Sequence, residues 1–196
     1  MPAPRTGRLR LAAESERTPL VPSAVMGMLI FVFTELMLFA GLLSAFSIVR
    51  AGAVVWPPPG QPRLPIQATA FNTGLLVASA VALFLSQRSF FRDRKAARRP
   101  LLVAMLLGAF FVIFQGVEWV RLVARGLTLT SSTLGSFFYL IVGLHALHAI
   151  AALCVLVTTW RRLERGWLAQ DQLAAAQVFW YFVVGLWPVL YGVVYL

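Results

Sequence analysis

Five stretches long enough to cross a membrane, almost free of charge, divide this chain and leave it few ways to fold. Ala24 to Val49 holds one ionisable carboxyl, Glu35, and the stretch between Arg63 and Arg88 holds none. Between Arg99 and Arg121 the only charge is Glu118. Gly126 to Trp160 has none, and none follows Asp171 before Leu196. About 20 apolar residues in a helix cross a hydrocarbon core about 30 Å thick. Hydrocarbon offers no partner to free backbone N–H and C=O groups, so such runs must be helical. The chain is therefore expected to be all-α: an integral membrane bundle of five transmembrane helices, at about 23–49, 68–88, 100–122, 134–160 and 173–196. Residues 1–22, rich in Arg, Pro and Ala, are expected to be an N-terminal cytoplasmic tail, and 23–196 the transmembrane domain.

The first run follows Arg5, Arg8, Arg10 and Arg17, as a secretory leader would. It is far longer than the usual 7–15 residue apolar region, and Glu35 interrupts it, so it is expected to stay as a span. The links fit the five-helix scheme. Trp56-Pro57-Pro58-Pro59-Gly60 cannot continue a helix, Pro100 suits a first helical turn, and Gly126 with Thr128 to Thr133 marks another break. Pro188 should kink the last helix unless a neighbouring group satisfies the freed carbonyl.

Charge matters next. The net charge of +10 would suggest nucleic acid in a soluble protein, but 60% of residues are hydrophobic and 12% charged, against about 45–50% and about 25% in soluble domains. Nucleic acid is therefore not an expected partner. The tail and the second and fourth links hold thirteen Lys and Arg; the first and third links hold four, Arg50, Arg63, Arg121 and Arg125. The positive-inside rule then puts the N-terminus in the cytoplasm and the C-terminus outside. Cys154 is the single cysteine and cannot form an intrachain disulfide.

Ionisable residues at bilayer depth are costly and are functional candidates. Four stand out: Glu35, Glu118, His145 and His148. His145 and His148, three apart, share one helical face, with Gly143 and Ala146 allowing another helix close. Two His and two Glu could ligate iron or zinc. Di-iron bundles use Glu-x-x-His pairs on two helices, and no such pair occurs here. The residues alone leave three roles open: hydrogen bonding between helices, lipid headgroup binding, and proton handling. No nucleophile with a base, phosphate loop or nucleotide fingerprint is present, so no catalytic residue is expected. Gly41 with Ser44, Gly74 with Ala78 and Ser79, and Gly135 with Ser136 are expected at helix contacts.

These residues, in this order, resemble subunit III of the haem–copper oxidases, the cytochrome c oxidase family. Thr34 to Gly41 matches its Ser/Thr-Glu-x-Met-x-Phe-x-Gly signature, and Trp56 to Pro58 its Trp-Pro-Pro loop. Asn72-Thr73 with Leu76, Ala78 and Ser79 matches the next helix, and Gln115, Glu118 and Trp119 its Gln-x-x-Glu-aromatic element. Gly135-Ser136-Phe137-Phe138, followed by Tyr139 where the pattern has its last Phe, resembles Gly-Ser-x-Phe-Phe, and Gly143 to His148 matches Gly-x-His-x-x-His; Trp180, Phe182-Val183 and Trp187 are similar to the terminal helix. The resemblance covers about residues 27–196. Two departures stand out. Tyr181 and Val184 occupy the His and Asp positions of the family's Trp-His-Phe-Val-Asp run, so a network built on that pair is absent or rearranged. The two extra N-terminal helices of long members are also lacking, as in short bacterial members.

The resemblance implies a non-catalytic subunit of a respiratory terminal oxidase in a bacterial inner membrane. Such a subunit binds no haem or copper, which belong to partner subunits. It packs on the catalytic subunit I, beside subunit II and small subunits, supports the proton-uptake entrance, and protects the enzyme during turnover. Glu35 then matches the family's buried glutamate and is expected to be neutral and hydrogen-bonded to a neighbouring helix. His145 and His148 match the paired histidines. Membrane phospholipid is the one ligand expected on this chain, with Trp56, Trp119 and Arg161 as contact candidates. An accessory protein of nitric oxide reductase, related in the same superfamily, is the alternative; a transporter would show an internal repeat, which is not apparent.

Overall fold

The computed structural model describes residues 22–196, so the tail expected at 1–22 lies outside the described residues except for Pro22. Five helices follow: α1 (Ser23–Gly52), α2 (Ile66–Phe90), α3 (Arg98–Ala124), α4 (Thr133–Glu164) and α5 (Gln170–Leu190), the last continued by a π-helical turn, Tyr191–Tyr195. All five are long and apolar enough to cross a membrane, and no strand occurs among the described residues. The chain is a multi-pass membrane protein.

Local chemistry sets the helix ends. Ser132 caps α4, its Oγ accepting from Gly135 N–H at 3.0 Å. At the far end of α3, Gly126 takes φ +92°, its N–H bonding Val123 O while Leu127 N–H bonds Leu122 O. Gly166, at φ +75°, closes α4 in the same way through Leu163 O and Arg162 O. Both are Schellman turns, in which glycine supplies the left-handed residue that satisfies the last carbonyls. Pro188 stays inside α5, and the wider π-helical turn begins three residues after it.

α5 is the centre of the bundle, packed against α1, α2 and α4; α2 pairs with α3, and α3 with α4. The apolar stretch of α5 is 61% buried inside the chain, that of α1 only 6%. Two sets of contacts define the two ends. Arg98 pairs with Glu164 at 3.1 Å and Arg94 donates to Leu168 O at 3.3 Å, which joins the second and fourth links. At the opposite end Arg50 donates to Val193 O and Leu196 O, and Ser131 Oγ to Gln61 Oε1. The links that alternate along the sequence therefore gather at opposite ends.

The small-residue expectation needs correction. A Cβ on Gly41 or Gly74 would meet no described atom within 4 Å, so neither mediates a tight approach. The close approach falls instead at Gly108, where a Cβ would lie 2.6 Å from Trp180 Cζ2. Gly135 does sit tightly, against the Thr128 carbonyl and Ser131 Oγ. Glycine spacing cannot distinguish a helix face turned to lipid from one turned to protein, because both are apolar.

Candidate functional site

The α1 and α4 helices bring Glu35 and His148 together at mid-helix, Oε2 to Nε2 at 3.1 Å. His148 Nδ1 lies 2.8 Å from Leu144 O, one turn back, and a carbonyl can only accept, so Nδ1 carries a hydrogen. One further proton must then lie between Nε2 and Oε2 for that contact to be a hydrogen bond. Phe31, Phe39, Phe179 and Phe182 surround the imidazole, with ring centroids 5.7–6.4 Å away. Sequence spacing placed the two histidines on one face; the structure gives them different partners. His145 is 1% exposed and lies against Trp187, centroids 5.0 Å apart, and neither ring nitrogen has a hydrogen-bond partner among the described residues.

Glu118 does not join this cluster. It is buried near the end of α3 and accepts from Arg121 Nη1 at 2.6 Å, one turn on, where the arginine side chain is 60% exposed. Beside it runs a chain of amides that the sequence reading missed. Asn72 donates to Gln115 Oε1 at 3.2 Å, and Gln115 Nε2 donates to Tyr195 Oη at 2.9 Å, which links α2, α3 and the final turn. Trp119 packs edge-on to Phe138 and Tyr139. Trp56 packs edge-on to Phe46 and lines a 440 Å³ recess with Arg50 and Arg63, and Arg161 is exposed on the last turn of α4.

The rearrangement on α5 is equally specific. Tyr181 Oη is buried without a partner among the described residues, and Val184 is buried, so the polar pair expected there from the family pattern is replaced by something else. α5 is held to α2 by indole donors: Trp180 Nε1 to Ser79 Oγ at 3.1 Å and Trp187 Nε1 to Thr73 Oγ1 at 2.8 Å, with Gln177 Nε2 to Leu83 O at 3.4 Å. The signal was present, since Trp180 and Trp187 are seven apart and so share a helix face, as do Leu76 and Leu83 on α2. Trp187→Phe keeps the ring and removes the donor. It should lower stability by about 1 kcal/mol, read as a shift in thermal unfolding of the purified chain in detergent.

Among the described residues, no three His, Cys, Asp or Glu side chains gather as a metal site would require. The fold and its polar groups define a class: a helical, multi-pass membrane protein whose intramembrane acid, amide and indole groups bind one helix to another. The comparisons with known proteins name the family. The family model for cytochrome c oxidase subunit III matches residues 13–196. The probable cytochrome c oxidase subunit 3 of Nocardia farcinica is 35% identical over 176 residues, covering 86% of this chain and 85% of the relative. Cytochrome c oxidase subunit 3 of Corynebacterium diphtheriae is 32% identical over 179 residues, with the same coverage. That of Rattus norvegicus is 30% identical over 193 residues, covering 93% of this chain and 73% of the relative. The chain belongs to the cytochrome c oxidase subunit III family, whose members are non-catalytic subunits of the oxidase complex.

Proposed function

We propose that this chain is the non-catalytic third subunit of a bacterial terminal oxidase, packed on the catalytic subunit I, where it stabilises the complex and supports proton uptake during oxygen reduction. The family match along nearly the whole chain carries the reading. Two features of the bundle support its finer parts. The first is α1, whose apolar stretch is only 6% buried inside the chain, which leaves most of that helix free for lipid or for a neighbouring subunit. The second is the Glu35–His148 pair. It brings Oε2 and Nε2 within 3.1 Å among four phenyl rings and so joins α1 to α4. Glu35, His148, His145 and Glu118 then serve as packing groups.

The two ends of the bundle carry nine and four Lys and Arg among the described residues, with the larger number on the second and fourth links. That asymmetry supports a cytoplasmic side for those links and for the N-terminal tail 1–22, with the C-terminus outside. Haem and copper belong to the partner subunits. Trp56, Trp119 and Arg161 are the contacts proposed for membrane phospholipid.

The test is a strain lacking this chain. Its oxidase should start at a near-normal rate and lose activity several-fold sooner under continuous turnover, and the wild-type chain supplied in trans should restore its lifetime. Identical progress curves with and without the chain would refute the protective role.

A further inference from the structure

We draw no further inference here: the strongest candidate, the 440 Å³ recess between Arg50, Trp56 and Arg63 at the end of the bundle where Arg50 holds the final turn, belongs to the phospholipid contacts already proposed at Trp56, and nothing in the structure shows another occupant for it.

Discussion

Replacing Gly108 by leucine is expected to prevent the bundle from assembling, and replacing it by alanine to cost about 1–3 kcal/mol. The cause is the Trp180 ring, fully buried on α5, which presses against Gly108 on α3. A Cβ there would lie inside the contact distance of Cζ2, at 2.6 Å, and of the neighbouring Cη2. The ring cannot swing aside freely, because its Nε1–H is committed to Ser79 Oγ at 3.1 Å. Moving it would also loosen one of the indole bonds that join α5 to α2. Gly41→Ala and Gly74→Ala provide the controls. Their Cβ atoms would meet no described atom within 4 Å, so the better helix propensity of alanine should leave stability unchanged or raised by up to about 1 kcal/mol. Thermal unfolding in detergent separates the two kinds of glycine, and a neutral Gly108→Ala would show that the α3–α5 packing is looser than described.

The second large effect is expected at Glu35 and His148. Either Glu35→Leu or His148→Leu leaves the other polar group in the apolar layer without its contact, at about 1–3 kcal/mol. The double leucine variant removes both groups and should be far less destabilised than the sum of the single changes, giving a coupling of about 1–3 kcal/mol. Glu35→Gln separates the two possible forms of the pair. Its amide N–H can donate to Nε2 as a protonated carboxyl does, so a neutral pair survives the change and the variant assembles normally. A carboxylate paired with imidazolium would lose its charge attraction, and Glu35→Gln would then be measurably less stable than the wild type, though less damaged than Glu35→Leu.

The number of spans was legible because charge is excluded from hydrocarbon, and five gaps in the charge pattern give five helices. Their ends were less so: α4 continues past Trp160 through Arg161 and Arg162 to Glu164, because long cationic side chains reach out of the apolar layer and Glu164 pairs with Arg98. Which helix sits at the centre could not be read. α5 is the least hydropathic of the five yet the most buried, and α1, among the more hydropathic, is the least. Lipid is as apolar as a protein core, so hydropathy reports depth in the membrane and says nothing about which face meets protein. The same limit applies to the polar residues. Their identities stood out, but only the rotation of α4 against α1 decides that His148 meets Glu35 while His145 faces Trp187. The Asn72–Gln115–Tyr195 chain joins residues up to 123 positions apart, and no local spacing announces it.

The central proposal, that this chain serves as the third subunit of a terminal oxidase, is tested most directly by tagging it, purifying it from its own membranes in mild detergent, and recording subunit composition with a reduced-minus-oxidised haem spectrum. It predicts stoichiometric recovery of a large subunit that carries haem and copper and reduces oxygen. Recovery of the chain alone and colourless, or with a nitric oxide reductase in place of an oxidase, would contradict it.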